Sequence, residues 1–144
     1  MVTPSLIALL GFIGWALFLL VLMEVIRAWL TLSGQVAANA FTPDNAGLSP
    51  FMQRLARAHA NCVEGLPIFG GLLLVAILTG RSDVTDPLAC VFLAARMFQS
   101  LVHLVSVSSA MVTVRFLAFS VQMGIAAYWL WRLLVPVLVA GTTG

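Results

Sequence analysis

Four long apolar segments constrain the fold of this chain more than any other feature of its sequence. They run from about 4 to 32, 51 to 79, 87 to 107 and 114 to 140. Each exceeds the roughly 20 residues that a helix needs to cross about 30 Å of hydrocarbon. Because lipid offers unpaired backbone groups no hydrogen-bond partner, we expect a helix in each segment. The sequence therefore predicts an all-α integral membrane protein, a four-helix bundle of up-down topology in which residues 1–144 form one four-span domain.

Composition excludes two other classes of protein. The chain has 144 residues, of which 62% are hydrophobic and 8% charged, whereas a soluble protein of this size needs far more charge to cover its surface. The net charge of +2 is too small and too dispersed to indicate a nucleic-acid partner. Cys62 and Cys90 form no CxxC pattern and have no histidine at metal-ligand spacing, so we expect two buried free thiols and no metal site.

The arginines indicate how the spans are oriented. Four spans place both termini on one side of the membrane and loops one and three on the other. Four arginines, at positions 27, 54, 57 and 115, lie near loops one and three, and those at 81 and 132 lie near the opposite side. The positive-inside rule then predicts that loops one and three are cytoplasmic and both termini lie on the opposite side. Tyr128, Trp129 and Trp131 are expected to anchor the fourth span at the lipid interface.

The stretch RLARAHANCVEG, at the start of the second span, places a polar stripe where a membrane segment begins. Arg54, Arg57, Asn61 and Glu64 are spaced by 3, 4 and 3 positions and therefore share one helix face. Ionisable groups at membrane depth are costly and usually functional. An excess of cations beside one carboxylate suits an anionic ligand that also carries an ammonium group.

The third span carries a second stripe, in which Arg96, Gln99, Ser100 and His103 fall at relative positions 0, 3, 4 and 7. If this span begins near Pro87, a rise of 1.5 Å per residue puts His103 roughly 24 Å and Glu64 roughly 22 Å above the outer edge. The sequence therefore predicts that Glu64, Asn61 and His103 are level. With Arg57 and Arg115 nearer the cytoplasm, they would line a pocket open to that side.

Not every polar group in the spans has to be functional. Glu24 with Arg27, and Arg96 with Gln99, are interpreted as pairs that hold helices together, because each has a nearby partner. A path of glutamate, histidine and arginine side chains also allows a proton relay. A small proton or ion transporter is therefore a third class that the residues leave open.

Three segments, RAHANCVEGLPIF, AARMFQSLVH and GQVAANAFTPD, resemble the MAPEG family, the membrane-associated proteins in eicosanoid and glutathione metabolism. The resemblance covers nearly the whole chain, which looks like a bacterial-type member. It implies a homotrimer of four-helix subunits surrounded by membrane lipids. Glutathione would bind between neighbouring subunits near the cytoplasmic face, and a lipophilic small-molecule substrate would enter from the bilayer.

The resemblance also implies roles for individual residues. Arg57 and Asn61 would bind the γ-glutamyl end of glutathione, Glu64 would bind its amino group, and Arg115 would stabilise its thiolate. A nearby guanidinium favours ionisation of a thiol that is otherwise mostly protonated at neutral pH. The expected glutathione-binding residues are Arg54, Arg57, Asn61, Glu64 and His103, and the expected catalytic residue is Arg115.

The predicted function is a glutathione-dependent membrane transferase or peroxidase that acts on lipophilic electrophiles. The alternative is a non-catalytic lipid-binding or scaffold protein on the same fold. The alternative is motivated by residues at which this chain departs from glutathione-binding family members. Gly65, Leu101 and Val107 match the places where those members have tyrosines, and Ala37 replaces the arginine that follows GQV.

Overall fold

A computed structural model describes residues 2–141 of the chain, and these residues form four long helices and no strand. The helices are α1 (Pro4–Leu32), α2 (Pro50–Leu78), α3 (Ser82–Val105) and α4 (Ser109–Gly141). All four are long and apolar enough to cross a bilayer. The prediction of an all-α four-helix membrane protein is confirmed, and the chain is an integral multi-pass membrane protein.

The first two helices begin with the same local signal. Thr3 and Ser49 stand just before the helices, and each hydroxyl accepts the backbone N–H three positions on, at 3.2 and 3.3 Å respectively. A proline, Pro4 or Pro50, follows at the first helical position. Proline fits there because the amide it lacks would have no partner in the first turn. These caps fix where α1 and α2 enter the bundle.

Both later helices begin five residues before the predicted positions. The start of α3 is Ser82, and Pro87 lies inside the helix. A proline this close to the start of a helix removes one backbone hydrogen bond from the first turns, where its loss destabilises the helix least. The start of α4 is Ser109, so loop three shrinks to residues 106–108, where the Ser106 hydroxyl accepts the Ser108 N–H at 3.1 Å. The shift in α3 changes which residues of α2 and α3 are level.

Phe92 of α3 lies at the centre of the bundle. Its ring centroid is 5.7 Å from that of Phe12 on α1, 5.1 Å from that of Phe69 on α2 and 5.6 Å from the Trp129 ring on α4. Tilted and edge-on ring pairs at these distances add about 0.5–1.5 kcal/mol each beyond area burial. The four helices therefore meet at one aromatic cluster on α3.

One expected interface anchor is part of this cluster instead. Trp129 is completely buried, whereas Tyr128 and Trp131 are exposed on the surface. The difference follows from helix geometry, because positions 128 and 131 share a face and position 129 lies about 100° away from 128. The anchor prediction is wrong for Trp129.

The two cysteines are free, as expected, but only one is buried. Cys62 is enclosed beside the Ser100 hydroxyl, with Sγ and Oγ 3.5 Å apart. Cys90 lies on the exposed side of α3, so the prediction of burial is wrong for this residue. Large apolar side chains cover much of the outer surface of the helices, as expected for contact with lipid.

Loop one is joined to both flanking helices through Asn45. Its side-chain oxygen accepts hydrogen bonds from the Arg27 guanidinium of α1, including one from Nε at 3.0 Å. Its amide nitrogen donates to the Met52 carbonyl at the start of α2, at 2.9 Å. Arg27 also forms the expected ion pair with Glu24, at 2.8 Å. Asn45 is fully buried and has a φ of 55°, a conformation that asparagine tolerates better than most residues.

Replacing Asn45 with alanine is expected to lower the free energy of unfolding by about 2 kcal/mol or more, because it leaves buried donors and acceptors unpaired. Asn45→Gly should lower it less, since glycine removes the side chain but adopts a positive φ freely. Thermal unfolding in detergent measures both changes. Asn39→Ala, at an exposed position of the same loop, is the control. Equal unfolding temperatures for Asn45→Ala and Asn39→Ala would contradict the assignment.

Candidate functional site: a cavity between three helices

A cavity of about 640 Å³ opens between α2 and α4, with α3 forming its inner wall. Its volume falls within the roughly 300–1,000 Å³ of small-molecule sites. One end is polar, lined by Asn61, Glu64, Arg96, Gln99 and Arg115. The remainder is apolar and is lined mainly by Ile68, Leu72, Phe116, Phe119, Met123 and Leu130. The cavity therefore offers one polar end and one apolar end to an amphipathic ligand or to two ligands.

A π-helical turn in α2 lies beside the polar end. It covers Leu66–Gly70 and contains Pro67, which lacks the N–H that a regular helix needs at this point. The wider turn accommodates the missing hydrogen bond, as such bulges commonly do. It directly follows Glu64 and Gly65, so the cavity wall changes from polar to apolar at the same place where the helix changes its winding.

Three of the six predicted site residues line this cavity. Asn61 and Glu64 project from α2, and Arg115 projects from the first turns of α4. Asn61 and Glu64 are exposed on the outer surface of the isolated chain, whereas Arg115 is half-buried. Glu64 is the only carboxylate among the described residues of the lining. The polar end thus brings together the two residues expected to bind glutathione at its amino end and the residue expected to act on its sulfur.

Arg54 and Arg57 are not brought to the cavity wall. Both lie one to three turns nearer loop one on α2. Arg57 is exposed, while Arg54 Nε donates to the Leu104 carbonyl of α3 at 2.8 Å. Arg54 therefore links α2 to the end of α3, and Arg57 lies on the exposed side of α2, outside the cavity lining.

His103 lies behind Arg115 rather than on the cavity wall. Its Nδ1 is 2.8 Å from Arg115 Nη1, and the histidine side chain is buried. A guanidinium can only donate, so Nδ1 accepts and the ring proton lies on Nε2. Neutral His103 thereby fixes the direction of the Arg115 guanidinium.

The residue of α3 that is level with Glu64 is Arg96, not His103. Glu64 lies 14 residues before Leu78, the end of α2, and Arg96 lies 14 residues after Ser82, the start of α3. At the same rise per residue, both lie about 21 Å above the outer ends of their helices. The Arg96 Nη1 donation to the Asn61 carbonyl, at 3.3 Å, agrees with this register. The depth prediction for His103 was wrong because α3 begins at Ser82 instead of Pro87.

Arg96 is the functional candidate that the sequence pattern did not identify. Its side chain is only 1% exposed, and its guanidinium carbon lies 5.2 Å from the Phe12 ring centre and 5.1 Å from that of Phe69. Nε and Nη2 have no hydrogen-bond partner within the described protein. The stripe of residues 96, 99 and 103 was a usable signal, but it was interpreted as structural pairing.

Arg96 also has no acidic partner. Among residues 2–141 the single ion pair is the one between Arg27 and Glu24, far from the cavity. Cation–π contacts supply about 2 kcal/mol when desolvated, whereas removing a guanidinium from water costs several kcal/mol. The protein therefore carries a buried cation on its cavity wall whose burial is only partly compensated.

Gly65 makes room for this guanidinium. A Cβ atom at position 65 would lie 2.8 Å from Arg96 Nη2 and 3.1 Å from a carbon of the Phe69 ring. Both distances are shorter than ordinary carbon contacts, so any side chain at this position would displace Arg96 or the ring. The guanidinium occupies space that a side chain at position 65 would otherwise take.

Gln99 completes the inner wall of the polar end. Its side-chain oxygen accepts a hydrogen bond from Gln122 Nε2 at 2.9 Å, and the same nitrogen donates to the Ala118 carbonyl at 2.9 Å. Gln122 is fully buried. This hydrogen bond holds the side chain of Gln99 on the cavity lining.

Comparison with known proteins gave one match. A model of the MAPEG family matches residues 5–135, which is most of the chain. The searches of curated proteins and of solved structures gave no match.

Arg96→Met is expected to leave the unfolding temperature unchanged or to raise it. Methionine has a similar length, and replacing a poorly compensated buried charge with an apolar side chain is often neutral or stabilising. Arg54→Met is the matched control, because it leaves the Leu104 carbonyl without its donor and should cost about 1–2 kcal/mol. Thermal unfolding of both variants in detergent tests this. A larger loss of stability in Arg96→Met than in Arg54→Met would show that Arg96 is a structural residue.

Proposed function

The chain belongs to the MAPEG family, and we propose that it is a glutathione-dependent membrane transferase or peroxidase that acts on lipophilic electrophiles. The observation that carries the proposal is the charge pattern at the polar end of the cavity. One carboxylate, Glu64, shares that end with the guanidinium groups of Arg96 and Arg115. Glutathione carries an ammonium group, two carboxylates and an ionisable thiol, which this set of side chains can bind.

The thiol is the reacting group, and Arg115 is the residue proposed to act on it. A thiol with a pKa near 8.5 is only a few per cent ionised at neutral pH. A guanidinium in a partly desolvated site lowers that pKa by favouring the thiolate, so the sulfur needs no separate base. His103 acts through Arg115 as a positioning residue, since its Nδ1 is 2.8 Å from Arg115 Nη1. The thiol proton passes to water, and the thiolate then attacks an electrophile in the apolar end, forming a bond to sulfur as the bond to the electrophile's leaving group breaks.

The remaining predicted residues are proposed to complete the site with a second copy of the chain. Arg57, Asn61 and Glu64 lie on one face of α2 and are exposed in the isolated chain, within a helix that can span the membrane. Exposing such groups to lipid is costly. A homotrimer would cover this face. Arg57, with Arg54 behind it, would then reach the γ-glutamyl end of glutathione. Loops one and three would face the cytoplasm, where glutathione is available.

A lipid-binding protein without catalysis is the second candidate, favoured by the lack of tyrosine on the cavity wall. The single tyrosine of the chain, Tyr128, is exposed and accepts a hydrogen bond from Arg132 at 3.1 Å. Gly65 lies on the wall where the glutathione-binding members it resembles have a tyrosine. The two candidates share the cavity and differ in whether a thiolate forms in it.

Arg115→Ala should raise the pKa of the thiol of bound glutathione toward the value of the free peptide. A close cation in a partly desolvated site commonly shifts a pKa by about 1–3 units, so the thiolate fraction at neutral pH should fall about tenfold or more. Thiolate absorbance, titrated against pH with saturating glutathione, measures this. The same titration on the unmutated protein tests the proposal itself. If no thiolate forms by pH 8, the lipid-binding candidate replaces the enzyme.

Glu64→Gln is the matched comparison for that experiment, because it removes a charge from the other side of the polar end. It should weaken glutathione binding by about 2 kcal/mol or more, since a buried ammonium group loses its partner. The thiol pKa should change little. Calorimetry gives the affinity and the absorbance titration gives the pKa. An identical pattern in Arg115→Ala and Glu64→Gln would contradict the separate roles.

A trimer is expected when the purified protein is measured by native mass spectrometry in mild detergent. Arg57→Glu should weaken the assembly, because it changes the charge on the exposed face of α2 that the neighbouring subunit is proposed to cover. Arg81→Glu, in the turn before α3, is the control and should leave the assembly unchanged. Only monomers of the unmutated protein would exclude a site between subunits.

A further inference from the structure

The free donors of Arg96 lie on one edge of its guanidinium. Nη1 is used by the Asn61 carbonyl, at 3.3 Å, whereas Nε and Nη2 have no partner in the described protein. The Nε–H and one Nη2–H point in parallel from the same edge of the planar group, and this is the edge that receives two acceptor oxygens in a bidentate pair. The unpaired part of Arg96 is therefore a two-donor fork.

A second side chain on the same face of α3 can donate hydrogen bonds near this fork. Gln99 lies one helical turn further along α3, and its oxygen is occupied by Gln122. Its amide N–H groups therefore join Arg96 on the inner wall. With Arg115 opposite and Glu64 as the one carboxylate on the lining, the ionised groups of the cavity sum to a single positive charge. The inner wall suits one monoanionic group with two oxygens.

The position of the Arg96 guanidinium depends on Gly65. Residue 65 has no side chain, so the guanidinium can approach the backbone of α2 closely. A Cβ at this position would lie only 2.8 Å from Nη2. Phe12 and Phe69 pack on the guanidinium carbon. A flat group that approaches edge-on fits beside these rings better than a tetrahedral one.

We propose that Arg96 and Gln99 form a carboxylate-binding subsite on the inner wall of the cavity, with Gln122 as a positioning residue for Gln99. This inference rests on the proposed function in one respect, because it gives a role to one part of the same cavity. A carboxylate there has two sources. It is the acidic head of a single-chain lipid whose tail lies along the apolar end, or it is a carboxylate of glutathione.

Two pairs of ligands distinguish the sources, each pair differing only in whether the carboxylate is free or esterified. One pair is hexadecanoic acid and its methyl ester, measured by displacement of a fluorescent alkyl probe from the purified protein in nanodiscs. The other is glutathione and its diethyl ester, measured by calorimetry. The unmutated protein should prefer the free acid of at least one pair by about tenfold or more, as expected for a charge-assisted bidentate hydrogen bond.

Arg96→Gln should leave the affinity for the ester unchanged, which also shows that the variant is folded. The preference for the free acid should disappear in the hexadecanoic acid pair or fall about tenfold in the glutathione pair, where Arg57 is proposed to bind the other end of the peptide. Arg96→Lys should keep only part of it, because lysine keeps the charge without the fork. Gly65→Ala should reduce it by displacing Nη2. Arg132→Gln removes an arginine bound to Tyr128 outside the cavity and should keep the preference intact.

Each outcome decides the proposal. Loss of preference in the lipid pair assigns the subsite to the lipid head, and loss in the glutathione pair assigns it to the peptide. If neither pair shows a preference in the unmutated protein, or if Arg96→Gln lowers the preference in neither pair, the subsite does not exist. Failure of glutathione to bind would overturn the proposed function. The measurement on the lipid pair contains no glutathione and could still be interpreted.

Discussion

Hydrocarbon offers no hydrogen-bond partner to a polar group, and the arrangement of polar side chains in this bundle depends on that constraint. Gln122 is fully buried and donates both to Gln99 and to the Ala118 carbonyl. Arg115 donates to buried His103. Such pairs satisfy polar groups that would otherwise cost several kcal/mol each in lipid. Within residues 2–141, single neutral atoms remain without a partner, among them His103 Nε2, Gln122 Oε1 and the indole nitrogens of Trp15 and Trp129. Charged groups stand apart from this arrangement at two places, the fork of Arg96 and the exposed face of α2. Both lie beside the same cavity, which is why the cavity, rather than the rest of the bundle, is the place to look for a ligand.

The stability of the bundle and the chemistry of the cavity are both carried by α3. Phe92, Arg96, Gln99 and His103 follow one another at spacings of 4, 3 and 4, so they form one continuous stripe on the helix. Phe92 contacts aromatic rings on the other three helices. The next two residues of the stripe line the polar end of the cavity, and His103 positions Arg115. Because one rigid helix carries all four, a ligand on the inner wall is placed relative to the aromatic core and to Arg115 at once.

The sequence was sufficient for the number of helices, their membrane character and the polar stripe on α2, because these depend on hydrophobicity and a period of 3.6 residues. It was insufficient for the depth of each residue, which depends on where a helix begins. A proline signal placed the start of α3 at Pro87 instead of Ser82, an error of about 7.5 Å along the helix. Because of that error, His103 was predicted to be level with Glu64, whereas Arg96 is the residue of α3 at that depth. The sequence singled out Gly65 only as a departure from a family tyrosine. The close approach of Arg96 to this glycine appears only when the neighbouring helix is in place.

Gly65 and Arg96 together determine which polar group lies at one point of the cavity wall. A tyrosine at position 65 would present a neutral hydroxyl donor and would require the guanidinium to lie elsewhere. Glycine instead brings a permanent positive charge to the wall, and burial of that charge is only partly compensated by the rings of Phe12 and Phe69. A neutral donor accepts many polar ligands, whereas a buried cation strongly favours an anion over its neutral analogue. We therefore expect glycine at position 65 to change the selectivity of the site more than its capacity to bind. A bound anion would recover part of the free energy that burial of the Arg96 charge costs.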